Sequence, residues 1–250
     1  MNKRRYLTRA LSIGLLASAI AVQAQTTPSH ASKPAPNAWM LTPTPYLEWN
    51  KDISPSLRTE RDRFWDEVTH REWPLTVKRE DGAFGGPDGF DDGKQSEIPD
   101  VPDRVIVTAT FTKARSVLSA SEKSIYTEIT MHLDQVFEDK TGSGRLAPHE
   151  DITLMMIGGT VALRSGRTLS DHVEPSELSL QPNRSYLLVL QYQKDGDWYE
   201  LDEDWDVTDG VVRGNSGRTQ YLAKHGRSLL DGLPVQQISA ALSRELDVSK

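Results

Sequence analysis

SIYTEITMHLDQVF, residues 124–137, alternates apolar and polar side chains as a β-strand with one buried face does. One face carries Ile125, Thr127, Ile129, Met131 and Leu133. The other carries Tyr126, Glu128, Thr130, His132 and Asp134. The alternation predicts that the first set lies in a core and that the second set forms a solvated face.

Segments on either side of this strand have the same character. They are RVIVTATFTKA (104–114), DITLMMI (151–157), GGTVALRSGRTL (158–169), RSYLLVLQYQ (184–193) and DWYELDEDW (197–205). Turn signals separate them at Ser165-Gly166, Asp195-Gly196 and Asp209-Gly210. RSYLLVLQYQ is apolar on both faces, which predicts a central strand. Short strands without intervening helices predict a mainly β fold, an antiparallel OB-like β-barrel or sandwich over residues 104–233.

A helix is predicted on each side of this β domain. In residues 51–103, Ser54 is a suitable N-cap, Pro55 suits the first helical position, and a Gly/Asp/Pro-rich loop follows the helix. The expected apolar face of this helix is Leu57, Phe64, Trp65 and Val68. In residues 234–250 the expected face of a C-terminal helix is Val235, Ile238, Leu242 and Leu246.

The first 24 residues have the three parts of a signal peptide. Lys3, Arg4, Arg5 and Arg9 precede an apolar stretch that is too short to span a bilayer, and Val22-Gln23-Ala24 suits a signal peptidase. Arg4-Arg5 leaves twin-arginine export open beside the general secretory route. Residues 25–50, rich in Pro, Ser, Thr and Ala, predict a disordered leader. We expect an exported protein, either periplasmic or secreted.

Charge and cysteine content limit the partners. Loss of the four positive charges of the signal takes the formal net charge from −7 to about −11, which disfavours nucleic acid and anionic membranes. The chain contains no cysteine, so it forms no disulfide and carries no lipid on cysteine. No membrane span is expected after signal cleavage. The expected partner is a protein or a glycan.

Short motifs in residues 104–195 resemble a group of uncharacterised, exported bacterial proteins found mostly in acidobacteria. The shared motifs are Ile125-Tyr126-Thr127, Gly158-Gly159, Ser165-Gly166-Arg167 and Tyr186-Leu187-Leu188. The resemblance implies an exported β-rich protein and no particular activity. The strand order is also similar to that of OB-like barrels of the netrin type, although those barrels contain cysteines that this chain lacks.

Ser216, in VVRGNSGRT, is a candidate nucleophile because Gly-Asn-Ser-Gly is similar to the reactive-serine motif of chymotrypsin-like proteases. A serine needs a histidine and an orienting carboxylate. His132, His149 and His172 lie upstream in unsuitable contexts, and Arg218 stands where a second glycine is required. We therefore expect a loop rather than a catalytic serine.

The acidic segment 200–209 is the second candidate. Alternate aspartates on an extended strand project to one side, where they could bind Ca²⁺ or form an acid/base pair for glycoside cleavage. The segment departs from the EF-hand pattern at Val207 and Arg213. A solvated acidic edge is the simpler interpretation. The expected binding surface comprises Trp198, Glu200, Asp202, Asp204, Trp205, Asp206 and Asp209.

Two further features are interpreted structurally. Glu128, His132 and Asp134 lack the three or four converging ligands of a zinc site, and Gly158-Gly159 lacks the setting of a phosphate loop and predicts a bend. No residue set predicts a catalytic centre, a cofactor or a metal site. The sequence favours a non-catalytic binding or interaction module. The alternatives are a secreted hydrolase that uses the carboxylates of residues 200–209 and a calcium-stabilised structural protein.

Overall fold

A computed structural model gives the architecture of the chain. It describes residues 43–45, 53–70, 96–142, 144, 146–171 and 180–248. The strands are β1 (Thr44–Pro45), β2 (Arg104–Leu118), β3 (Ile125–Asp139), β4 (Asp151–Ile157), β5 (Gly159–Ala162), β6 (Thr168–Asp171), β7 (Ser185–Gln193), β8 (Trp198–Asp206) and β9 (Arg213–Gly214). The helices are α1 (Pro55–His70), α2 (Gly217–Lys224) and α3 (Ile238–Val248). The fold is mainly β, as predicted.

The main sheet has the strand order β4-β3-β2-β7-β8-β9, and all of its adjacent strands are antiparallel. Strand β4 also meets β8, in parallel, at Leu154 and Tyr199. The five apolar-face positions predicted for β3 are all buried. Ile129, Met131 and Leu133 join one core with residues of β2, β4 and β7. Two-residue alternation therefore located this core correctly.

Strand β7 is central and has a core on each side, as its sequence predicts. Leu188 and Leu190 belong to the first core, whereas Leu187 and Val189 belong to a second core that also contains Trp205. Helix α3 covers this second core with Ile238 and Leu242, following a 3₁₀ turn at Val235–Gln237. The predicted C-terminal helix is thus confirmed.

A smaller sheet has the order β1-β5-β6. Strands β5 and β6 form the predicted hairpin, with Gly166 at φ 79° in its turn. Strand β1 lies within the segment expected to be a disordered leader and pairs in parallel with β5. The rest of that leader, the expected signal peptide and the loop residues 71–95 lie outside the described residues.

A β-bulge interrupts β8. Leu190 pairs with Leu201 and Val189 pairs with Glu203, so Asp202 is the extra residue. An extra residue reverses the alternation of all later side chains relative to the earlier ones. Among the described residues, no helix is long and apolar enough to cross a membrane.

Candidate functional site

Helix α1 is held against the sheet by a charged face. Its buried residues are Arg58, Arg61, Asp62 and Trp65, which recur at the spacing of one helical face. Leu57 and Phe64, expected on the buried face, are only half-buried. Ser54 accepts a hydrogen bond from the amide of Leu57 at 3.3 Å, as expected of the N-cap.

Glu128 of β3 is the centre of the contact between α1 and the sheet. Its Oε1 accepts hydrogen bonds from Arg61 at 3.0 Å and Arg58 at 3.3 Å, and its Oε2 accepts one from Arg115 of β2 at 2.6 Å. The Glu128 side chain is 4% exposed. Three guanidinium groups therefore compensate one buried carboxylate, which satisfies the hydrogen-bonding capacity of its two oxygens.

Tyr126 of β3 extends this polar contact to Asp62 of the helix. Its hydroxyl donates to Asp62 at 2.7 Å and accepts a hydrogen bond from Arg58. Burial raises the pKa of Tyr126 above its ordinary value, so the phenol stays protonated. Burial also raises the pKa of Asp62, against the hydrogen bonds from Tyr126 and the Ala120 amide. The cluster consequently has fixed donor and acceptor roles.

The prediction of a solvated polar face on β3 is therefore wrong for Tyr126 and Glu128. Helix α1 covers both residues, and each polar face satisfies the groups of the other. His132 and Asp134, further along the same strand, are half-buried and exposed respectively. The spacing of Arg58, Arg61, Asp62 and Trp65 was the sequence signal that could have identified the buried face.

The two tryptophans of the expected binding surface lie in the interior. Trp198 is 1% exposed and packs against Phe64 and Trp65 of α1, with ring centroids 5.0 and 5.5 Å away. Trp205 is fully buried in the second core. Neither ring is available as a platform for a sugar or a peptide.

The acids of the expected surface do not form a single row. Glu200, Asp202 and Asp209 are exposed. Asp206 forms an ion pair with Arg184 at 2.7 Å, and Asp204 is completely buried. The bulge at Asp202 explains the separation, because it places Asp204 opposite Leu188 of the first core. Among the described residues, these carboxylates do not form a group of three or more that could hold Ca²⁺.

Ser216 is the N-cap of α2, a helix that the sequence interpretation missed. Its hydroxyl donates to Glu203 at 2.7 Å and accepts a hydrogen bond from the Thr219 amide at 3.1 Å. Among the described residues, the hydrogen-bond partners of this hydroxyl are Glu203 and Thr219 and not a histidine; His172 lies outside the described residues. The side-chain capping role was expected, although in a loop and not at the start of a helix.

Glu203 and Glu97 form a second buried polar cluster that the sequence interpretation also missed. Arg218 of α2 donates to Glu203 at 2.8 Å and to the backbone carbonyls of Ser96 and Glu97. Glu97 accepts hydrogen bonds from the Ser228 hydroxyl and from the backbone amides of Leu229 and Leu230. Burial raises the pKa of Glu97, against these hydrogen bonds. The cluster connects four parts of the chain: residues 96–97, strand β8, helix α2 and residues 228–230.

His132 and His149 have rings 6.0 Å apart, and His132 Nδ1 lies 2.9 Å from the Asp151 carboxylate at the surface. Within the described ranges, no group of three or more metal-binding side chains is present. Gly158 and Gly159 form the predicted bend, with φ values of 85° and 133°.

No family model, no curated protein and no solved structure matches the chain.

Proposed function

We propose that the chain is an exported, non-catalytic binding module on an OB-like β-barrel framework. Its partner is a protein or a glycan outside the cytoplasm. The contact surface is the exposed part of the β7–β8 hairpin, centred on Glu200 and Asp202. This surface is smaller than the one expected from the sequence, because it excludes the buried Trp198 and Trp205.

The arrangement of charges on β8 is the main support. After the bulge, each acid of β8 binds a partner within the chain. Glu203 binds Arg218 and Ser216, Asp204 binds Asn215, and Asp206 binds Arg184. Glu200, before the bulge, and Asp202, the bulge residue itself, are exposed. The first group maintains the fold, and the second is available to a partner. Exposed charges set the rate and specificity of association.

The strand order supports the barrel part of the proposal. Pairings run from β4 through β3, β2 and β7 to β8, and β8 meets β4 again at Leu154 and Tyr199. A ring of five strands is typical of the OB-like architecture, whose surfaces bind extended polymers. The irregularities in the β2–β3 pairing, with extra residues Asp134 and Phe137 on β3 and Thr112 on β2, supply the bending that a strongly curved sheet needs.

Export rests on the N-terminal sequence: a basic start, a short apolar stretch and Val22-Gln23-Ala24. The absence of cysteine is compatible with either side of the inner membrane. Fractionation of expressing cells, with sequencing of the N-terminus of the recovered protein, tests this part separately. Recovery of the uncleaved chain in the cytoplasm would contradict it.

Partner capture tests the surface. The purified chain is immobilised and exposed to a glycan array and to extracellular and periplasmic extracts. The double variant Glu200→Gln, Asp202→Asn should lose at least about tenfold in retention of any partner that the parent captures, because two exposed charges are removed at the proposed contact. The thermal midpoint of the variant should match that of the parent.

The control is Asp171→Asn, which removes one exposed charge on β6, in the other sheet. Equal loss for both variants would indicate a general charge effect and not a defined surface. Turnover of peptide or glycan panels that the β8 double variant abolishes would favour the hydrolase instead.

A further inference from the structure

Asp204 of β8 binds the residues that connect β9 to α2, next to the β8–β9 pairs at Trp205 and Asp206. Its backbone carbonyl accepts hydrogen bonds from the amides of Asn215 and Ser216, at 3.3 and 3.4 Å, and from the Thr219 hydroxyl at 3.1 Å. Its carboxyl Oδ2 also accepts a hydrogen bond from the Asn215 side chain. Asp204 therefore accepts four of the hydrogen bonds that hold the β9–α2 segment, residues 213–224, on β8, beside the β8–β9 pairing and the Glu203–Arg218 ion pair.

The carboxyl group of Asp204 is buried without a compensating cation. The residue is 0% exposed, and its Oδ1 has no hydrogen-bond partner among the described residues. The two nearby arginines bind other acids: Arg218 binds Glu203 at 2.8 Å, and Arg184 binds Asp206 at 2.7 Å. A buried carboxylate with one unsatisfied oxygen and no cation is strongly unfavourable, whereas the neutral acid is tolerated.

The groups on the neighbouring elements either oppose ionisation of the Asp204 carboxyl group or do not compensate its negative charge. Strand β8 contributes the anions Glu203 and Asp206. Strand β7 contributes Tyr186, whose pKa burial raises to about 12 and which therefore stays neutral. From β9 and α2 the charged groups are Arg213, which is exposed, Arg218 and Lys224. Burial, with the two neighbouring acids, raises the pKa of Asp204 to about 7, against the hydrogen bond from Asn215.

We propose that Asp204 is a proton-controlled latch for the β9–α2 segment: the neutral acid holds the segment on β8, and ionisation releases it. Release is local because α2 is short and Thr219 is its only buried residue, and it is opposed by the Arg218 contacts with Glu203 and with the carbonyls of residues 96–97. Elements with few buried contacts open at a lower free energy than the core. In contrast, strand β7 contributes fully buried residues to both apolar cores, with Leu188 in the first and Leu187 in the second.

The direction of the pH effect follows from the raised pKa. The closed segment binds the Asp204 proton more tightly than the open segment, where the carboxyl is hydrated. Closure is therefore complete in acid and weakens as pH rises through about 7. If the open form titrates at its ordinary value, the opening constant should increase about 30-fold between pH 5.5 and 8.5.

Amide hydrogen exchange of the full chain tests the latch. Protection at Thr219 and Gln220, corrected for the intrinsic rate, should fall by about 30-fold from pH 5.5 to 8.5 in the parent. Asp204→Asn, which imitates the neutral acid, should retain its protection over that range. Asp209→Asn, at an exposed acid of the next turn, should behave as the parent. Equal pH dependence in the parent and Asp204→Asn would overturn the proposal.

A direct titration needs no variant and covers the case in which Asp204→Asn does not fold. The carboxyl carbon of Asp204 is followed by NMR between pH 4 and 9 in the parent chain. A midpoint near 7, with simultaneous shift changes at the amides of Asn215 and Ser216, supports the latch. A midpoint below about 5, within the ordinary range of an aspartate, would overturn it.

Discussion

Glu128 illustrates how one residue can decide the position of a helix. Its carboxylate contacts Arg58 and Arg61 of α1 and Arg115 of β2, and it has little access to water. Replacing such a pair by apolar residues can be neutral, but removing one partner leaves buried charges uncompensated. Glu128 therefore fixes where α1 docks on the sheet. Removing Glu128 costs more stability than the intact ion pairs contribute, because buried arginines are left without a counter-charge.

We predict that Glu128→Gln lowers the free energy of unfolding by about 3–5 kcal/mol, because Arg58 and Arg61 lose the carboxylate that they share while remaining buried. Urea denaturation followed by tryptophan fluorescence measures the change, since Trp65 lies on the same face of α1. The control is Glu67→Gln, whose partner Arg63 is exposed and whose midpoint should stay unchanged. Equal midpoints for the two variants would show that α1 does not depend on Glu128.

At the scale of the elements, strands β2 to β8 were predictable, whereas the two-residue strands β1 and β9 and the way in which helices cover the sheet were not. Alternation located β3 and its buried face, and turn residues located the hairpins. Alternation reports only that a face is polar. Burial of Tyr126 and Glu128 depends on α1, which is more than 50 residues away in sequence. Two polar faces that satisfy each other look solvated when each is considered alone.

The acidic segment shows a second limit of pattern reasoning. Alternate aspartates share one side only in a regular strand, and the bulge at Asp202 breaks that rule. Nothing in the segment itself signals a bulge. Helix α2 was missed for a related reason: eight residues are too few for a clear apolar period, although Ser216 is a good N-cap.

The docking of the small sheet on the main one is tested at Gly159. This residue has φ 133°, and an added Cβ would lie 2.2 Å from the Ser116 hydroxyl oxygen and 2.6 Å from that of Thr127. Gly159→Ala should therefore destabilise the chain by more than about 2 kcal/mol, through both backbone strain and overlap with β2 and β3. Thermal and urea unfolding measure the change.

Gly166→Ala separates the two causes. Gly166 also has a positive φ, 79°, but nothing lies within 4 Å of an added Cβ. It should cost only the backbone strain, about 1 kcal/mol. If the two alanine variants were equally stable, the close approach of β5 to Ser116 and Thr127 would not affect the free energy of unfolding.

For the whole molecule, buried acids set the dependence of stability on pH. Burial raises the pKa of Asp62, Glu97 and Asp204, the last to about 7. A folded state with raised carboxyl pKa values binds more protons than the unfolded state, so its stability falls as pH rises through those values. Asp66 acts in the opposite direction: hydroxyl hydrogen bonds outweigh burial and lower its pKa, so its contribution is lost only in stronger acid.

We therefore predict that the chain is more stable at pH 5 than at pH 8, with Asp204 alone contributing about 2–3 kcal/mol of the difference. Self-repulsion of an acidic chain, with a formal net charge of −7 at pH 7, acts in the same direction. Urea denaturation from pH 5 to pH 8 at constant ionic strength measures the change in the free energy of unfolding with pH. Asp204→Asn should reduce the difference between pH 5 and pH 8 by about 2–3 kcal/mol. A midpoint that increases with pH over this range would mean that these acids are hydrated in the folded chain, and the buried clusters would then be incorrectly placed.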